Sequence, residues 1–208
     1  RSRGLGDVYK RQTDEYHYRA WKALADRLGI PFDRERNGLL RGVSRMDSLN
    51  IILEKSDKAY SQDEKNAMAE EKNTRYRQLL NQMSPADLSG DVKRTLDTLR
   101  ARGLKLAIGS SSKNTPFILE RMGLDGIFDA VADGNCITHS KPNPEVFLKA
   151  AEMLGLKPEQ CVVVEDAHAG VEAAKAGGFA CAAMGDAKED ARATYHLGKL
   201  SDLLEYVG

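Results

Sequence analysis

The sequence predicts an α/β protein: a doubly wound parallel sheet with helices on both faces, carrying an inserted all-helical unit. Three observations carry this reading. From Pro85 onward, helical and strand segments alternate, as repeated α and β units of a parallel sheet do. Cys161-Val162-Val163-Val164 is apolar at every position, as a strand covered on both faces must be. Ahead of Pro85, residues 13–83 show helical patterning alone. The expected division is a helical cap over 13–83 and an α/β core over 84–208, with residues 1–12 standing apart.

The elements follow in order. Thr13 or Asp14 is expected to cap a first helix whose apolar side carries Ala20, Trp21, Leu24 and Leu28, and Gly29 and Pro31 end it. A loop, Arg41-Gly42-Val43-Ser44-Arg45, leads to a second helix with Met46, Leu49, Ile52 and Leu53 facing one way. Ser61-Gln62-Asp63-Glu64 has capping-box spacing and opens a long helix that closes on Tyr76, Leu79, Leu80 and Met83. Ser84-Pro85 breaks it. Val92, Leu96 and Leu99 mark the next helix, stopped at Gly103 and followed by a strand over 104–108. Pro116 opens a helix ending at Gly123, and 128–132 is the next strand. Asn143-Pro144 puts proline at the first position of another helix, with Gly155 after it. Strands at 161–164 and 179–184 complete the pattern.

Composition narrows the function. Of the 208 residues, 31 are Lys or Arg and 31 are Asp or Glu, so the chain lacks the cationic surplus of a nucleic-acid binder or a polybasic membrane module. Its longest apolar runs are too short to span a bilayer. Cys136, Cys161 and Cys181 are odd in number and widely spaced, which argues against a disulfide framework or zinc knuckle and fits a cytoplasmic protein. The expected partner is a small molecule, and the expected state a monomer.

Residues 1–12 have no Met start, no secretory apolar region and no helix or strand period. One back-translation of residues 7–12 is GAT-GTG-TAT-AAG-AGA-CAG, a string resembling the transposase mosaic end of sequencing libraries. A translated adapter joined to a truncated gene is therefore expected, and a natural basic tail is the alternative.

In open α/β sheets, ligands sit at the carboxyl ends of the strands. After the strand at 104–108 comes Gly109-Ser110-Ser111-Ser112-Lys113-Asn114, whose hydroxyls, turn N–H groups and lysine can hold a phosphate. Taken alone, it is equally an ordinary Ser-rich helix cap. Ser140-Lys141-Pro142-Asn143-Pro144 sets a lysine on a rigid turn, where it can neutralise a phosphoryl group or simply be solvated. Val162-Val163-Val164 runs into Glu165-Asp166, a costly placement for two carboxylates unless a cation compensates. Mg²⁺ suits them, because it takes oxygen ligands and only one or two protein carboxylates, although an exposed acidic turn has the same sequence. The weight lies in the ordered occurrence of a hydroxyl loop, a lysine and an acid pair after three successive strands.

That ordered set resembles the haloacid dehalogenase superfamily of phosphoryl-transfer enzymes, from Thr13 to the C-terminus. Ser110 matches its second motif, Lys141 its third, and Glu165-Asp166 with Gly170 its fourth. Thr13-Asp14-Glu15-Tyr16-His17, the loop Gly42-Val43-Ser44-Arg45 with Ser48, Lys72-Asn73, Ser84-Pro85-Ala86-Asp87 and Leu119-Glu120-Arg121-Met122 resemble its β-phosphoglucomutase family.

The resemblance implies a Rossmann-like core with Mg²⁺ on Glu165 and Asp166, and catalytic roles for Thr13, His17, Ser110 and Lys141. It implies a sugar phosphate held by Gly42, Val43, Ser44, Arg45, Ser48, Lys72, Ser111, Ser112, Lys113 and Asn114. The implied reaction interconverts β-glucose 1-phosphate and glucose 6-phosphate through an aspartyl phosphate and a bisphosphate, with β-glucose 1,6-bisphosphate as activator.

The departures are specific. The family's first motif, D-x-D-G, is absent: register from Thr13 puts Leu5 at the nucleophile's position and Asp7 at that of the acid/base. The apolar first core strand is missing too, and the chain is expected to be inactive as written. Ala167 stands where serine commonly follows the acid pair, and His168 is unusual beside it. A sugar-phosphate phosphatase and a non-catalytic phosphate-binding module are the alternatives.

Overall fold

The structure, a computed structural model, describes residues 10–207, with side chains from residue 13 onward. Four helices come first: α1 (Lys10–Leu28), α2 (Arg34–Gly38), α3 (Arg45–Leu53) and α4 (Gln62–Leu80). Then helix and strand alternate: α5 (Gly90–Ala101), β1 (Ala107–Gly109), α6 (Thr115–Arg121), β2 (Ala130–Ala132), α7 (Glu145–Leu154), β3 (Val162–Glu165), α8 (His168–Ala176), β4 (Ala180–Ala183) and β5 (Tyr195–His196).

All strand pairs are parallel. Ala107 lies opposite Ala130 in β1–β2, Val163 opposite Cys181 in β3–β4, and Ala182 opposite Tyr195 in β4–β5. Among the described residues the sheet is in two parts, β2–β1 and β3–β4–β5. The period-two alternation of strands sorts both parts onto the same two helix layers. Ile108, Val162, Val164 and Ala182 join a core with Leu96 and Leu99 of α5, Ile118 of α6, and Leu200 and Leu203. Ala107, Val163, Cys181 and Ala183 face Val146, Phe147 and Ala150 of α7 and Val171 and Ala174 of α8.

A third apolar cluster binds the helical region together: Trp21 and Leu24 of α1, Leu49 and Ile52 of α3, and Met68 of α4. The other ends of these helices reach the sheet. Tyr16 and Ala20 of α1, with Tyr76 and Leu80 of α4, belong to the cluster that contains Ile108 and Val164. Helical and α/β regions thus share apolar side chains, which fixes the cavity between them.

Local signals explain most boundaries. Gly29, Gly103, Gly123 and Gly155 all have positive φ just after their helices, where a side chain is strained. Ser61 accepts from the Glu64 N–H while Glu64 accepts from the Ser61 N–H, the full capping box.

Several expectations are corrected. α1 begins at Lys10, so residues 10–12 are helical, and Thr13 lies inside the helix, 4% exposed, instead of capping it. Thr13, Tyr16 and Ala20 form a buried stripe along α1, so Thr13 packs against the protein rather than capping the helix. β1 is shorter than 104–108, because the Asp129 carboxylate takes the Leu106 N–H at 2.8 Å in place of a strand partner. Pro144 is the N-cap of α7, not its first residue, and the Asn143 side chain accepts the Glu145 N–H. α2, capped by Asp33, and β5 were not foreseen. The expectations resting on Leu5, Asp7 and the rest of residues 1–9 lie outside the described residues.

Candidate active site

β3 ends on Glu165, which is 3% exposed, with Asp166 next at 7%. Their carbonyls are fixed by the N–H groups of Met184 and Ala187, at 2.9 and 3.1 Å. The turn after them permits one close approach: a Cβ on Gly170 would lie 2.2 Å from Glu165 Cδ. Glycine is therefore required for the carboxylate to fold back against α8. Facing it, the buried Lys141 ammonium donates to Glu165 Oε1 and, at 3.2 Å, to the Gly109 carbonyl. Its Nζ also lies 4.6 Å from the centre of the Phe147 ring. One lysine thus joins the end of β1 to the end of β3.

The serine loop follows β1 directly. The Ser110 N–H donates to the Ala132 carbonyl, and the hydroxyls of Ser110 and Ser112 accept the N–H groups of Ser112 and Asn114, both at 3.2 Å. These bonds tighten the loop into a turn that opens α6. Ser111 Oγ is buried and has no hydrogen-bond partner among the described residues. An orphaned buried hydroxyl lining a cavity is a group that a polar ligand would satisfy.

From the helical side, α1 presents Thr13 and His17, and α4 presents Lys72. The buried Lys72 ammonium lies 2.8 Å from His17 Nδ1 and 4.6 Å from the centres of the Trp21 and Tyr76 rings. His17 stacks on Tyr76 with centroids 3.9 Å apart. Burial, then the Lys72 and Arg45 cations, hold His17 well below the usual imidazole range. Burial, then Arg45, likewise push Lys72 well below the usual ammonium range. A neutral His17 that accepts a hydrogen bond from Lys72 satisfies both directions.

The loop ahead of α3 lies against the α/β region. The Ser44 N–H donates to Ser140 Oγ at 3.2 Å, while the Ser44 hydroxyl caps α3 by accepting the Asp47 N–H. Gly42 sits beside Lys141 and Ala169. Arg41 reaches across to Asp186 and also pairs with Asp14 of α1 at 3.0 Å. Asn114 donates to Asn73 of α4 at 2.9 Å, a second tie between the halves. Arg45, at the start of α3, pairs with Glu70 at 2.6 Å.

These groups surround one cavity of about 570 Å³. All sixteen residues singled out from the sequence line it: Thr13, His17, Gly42, Val43, Ser44, Arg45, Ser48, Lys72, Ser110, Ser111, Ser112, Lys113, Asn114, Lys141, Glu165 and Asp166. Arg41, Asn66, Glu70 and Ser140 line it as well and were missed. Asn66, Glu70 and Asn73 follow helical spacing on α4, a signal that points the α4 polar face at the site. Trp21, read as cap core, is core and also carries Lys72 over its ring.

The acid pair fits Mg²⁺ by its chemistry: two adjacent buried carboxylates offer hard oxygen donors, one of them steadied by the Lys141 ammonium. Among the described residues no group of three or more His, Cys, Asp or Glu side chains gathers where it could hold a metal ion. No described helix is long and apolar enough to cross a membrane.

Comparison with known proteins identifies the family and the fold. Residues 8–178 match the haloacid dehalogenase-like hydrolase family. β-Phosphoglucomutase of Bacillus subtilis (strain 168) is 37% identical over 193 residues, covering 92% of this chain and 85% of that protein. Fructose-1-phosphate phosphatase of Escherichia coli (strain K12) is 32% identical over 168 residues, covering 80% and 86%. The crystal structure of β-phosphoglucomutase from Clostridium difficile aligns with a TM-score of 0.91 at 34% identity, covering 99% of this chain and 93% of that one. The chain belongs to the haloacid dehalogenase-like hydrolase family and is a homologue of β-phosphoglucomutase.

Proposed function

We propose that this chain carries the site of a β-phosphoglucomutase, interconverting β-glucose 1-phosphate and glucose 6-phosphate through an aspartyl phosphate and β-glucose 1,6-bisphosphate. The observation that carries the reading is the single cavity whose α/β wall holds Ser110, Lys141, Glu165 and Asp166, and whose helical wall holds Arg45, Ser48 and Lys72. One wall suits the transferring phosphoryl; the other suits the sugar and its second phosphate.

Glu165 and Asp166 would hold Mg²⁺, which when bound neutralises charge on the transferring group. Lys141 lies where its ammonium, already shared with Glu165, can stabilise the same oxygens, and Ser110 and Ser111 offer hydroxyl donors beside it. Arg45 would exchange its surface partner Glu70 for the distal phosphate, with Ser112, Lys113 and Asn114 lining the same space. The contacts of Ser44 with Ser140 and of Asn73 with Asn114 tie the proposed cap to the α/β region, and closure there would exclude water and favour a sugar acceptor over hydrolysis. Thr13 and His17 sit where α1 enters the cavity and would order the acid/base group.

The sequence has no D-x-D-G, so we read the chain as inactive until that strand is supplied ahead of Thr13. Division into a cap (13–83) and a core (84–208), a cytoplasmic location and a monomeric state belong to the same proposal. A sugar-phosphate phosphatase is the second reading, favoured by the 32% identity to the E. coli phosphatase.

Calorimetric titration of glucose 6-phosphate into the chain as it stands tests the substrate assignment. Binding should exceed that of inorganic phosphate, and Arg45→Ala should weaken it by about 10-fold or more, the scale of a charge-assisted bidentate contact. Equal affinity for glucose 6-phosphate and phosphate, or no loss in Arg45→Ala, would contradict it.

A further inference from the structure

Behind the acid pair, outside the cavity, a ring of hydrogen bonds fastens the turn that carries Asp166. The Asp166 carbonyl accepts from the Ala187 N–H at 3.1 Å, and the Ala187 carbonyl accepts from the Asp190 N–H at 2.9 Å. The Asp190 carboxylate contacts His168 Nδ1 at 2.7 Å, two residues on from Asp166, which closes the ring. A carboxylate only accepts, so Nδ1 carries the proton.

Arg192 braces the arrangement. Its Nε and Nη2 donate to the two Asp190 oxygens at 2.9 and 2.7 Å, and Nη2 also reaches the His168 carbonyl at 3.4 Å. Nη1 pairs with Glu172 at the surface. Asp190 is buried, and Ala187 is fully so. The Arg192 bonds hold the Asp190 carboxyl well below the usual carboxylate range, so it stays ionised. Meanwhile α8 begins at His168 with Ala167 as N-cap and no side-chain capping bond. The start of α8, and the acid-bearing turn before it, are therefore anchored from the 187–192 segment.

We propose that Asp190, braced by Arg192, is a positioning residue that holds the 165–168 turn so that the Asp166 carboxylate is presented to a divalent cation. Asp190 does not touch the reacting atoms. This rests on the assignment of Mg²⁺ to Glu165 and Asp166. Partners that orient a metal ligand from behind typically change metal affinity by about 10–100-fold when removed.

Mn²⁺ is a paramagnetic probe for the same oxygen donors, and its free concentration is read by electron paramagnetic resonance. With the chain as it stands, Asp190→Ala and Arg192→Met should weaken Mn²⁺ binding by about 10-fold or more. Amide exchange at residues 166–168 and 187 should accelerate in both. Glu172→Gln, which removes only the surface partner of Arg192, should leave affinity and exchange unchanged. Thermal melts identify the folded variants. If Asp190→Ala does not fold, Arg192→Met, which keeps the Asp190–His168 contact, carries the test, with Asp190→Asn as a further mild variant. Parental Mn²⁺ affinity in the folded variants overturns the positioning role alone. Failure of the unaltered chain to bind Mn²⁺ overturns the metal assignment, and the positioning role with it.

Discussion

The Lys141 ammonium donates to the Glu165 carboxylate where both side chains are almost wholly buried, 6% and 3% exposed. The pair joins the turn after 140 to the end of β3 and reaches the last carbonyl of β1 as well. Breaking a buried pair from one side strands the other charge. Lys141→Met should therefore destabilise the fold by about 3–5 kcal/mol in chemical denaturation. Adding Glu165→Gln should recover most of the loss. A Lys141→Met variant as stable as the parent would show that the pair does not hold these elements together.

Gly170→Ala should act on the same carboxylate from the opposite side. The new Cβ would meet Glu165 at 2.2 Å, so the carboxylate or α8 must shift. Overpacking of this kind costs roughly 1–3 kcal/mol. The loss should appear as a lower denaturation midpoint together with weaker Mn²⁺ binding. Unchanged stability and binding would mean that Glu165 relaxes freely.

His17 gives the stability a pH dependence with a definite sign. Its folded pKa lies well below the ordinary 6.5, so the unfolded chain binds more protons as pH falls through that value. The folded state with neutral His17 is therefore fully favoured above pH 6.5 and loses stability below it. Melting temperature should drop between pH 7.5 and 5.5, and His17→Gln should flatten the decline. An equally steep decline in His17→Gln would assign it to other groups.

Much of this arrangement is legible from local chemistry. The Ser61–Glu64 capping box, the glycine stops and the all-apolar run of β3 depend on neighbours within a few residues, so pattern reveals them. The acid pair, lysine and serine loop could be placed together because strand order puts them all at one sheet end. Less accessible were features set by distant partners. The Asp129 carboxylate displaces the first part of the expected β1, and Arg41 bridges Asp14 and Asp186 across 27 and 145 residues of sequence. Glu70 occupies Arg45, and Asp190 occupies His168, through packing that no local spacing announces. The start of α1 was missed because residues 10–12 lack an apolar period and an acidic first turn.

The proposed mutase site lies in this cavity, and the sequence contains no D-x-D-G to supply its nucleophile. The most direct measurement joins an apolar strand ending in D-x-D-G ahead of Thr13 and follows products from β-glucose 1-phosphate with Mg²⁺ and glucose 1,6-bisphosphate. Glucose 6-phosphate should form in excess over inorganic phosphate, while the chain as it stands forms neither. Inorganic phosphate as the main product, or turnover by the unaltered chain, would contradict the account.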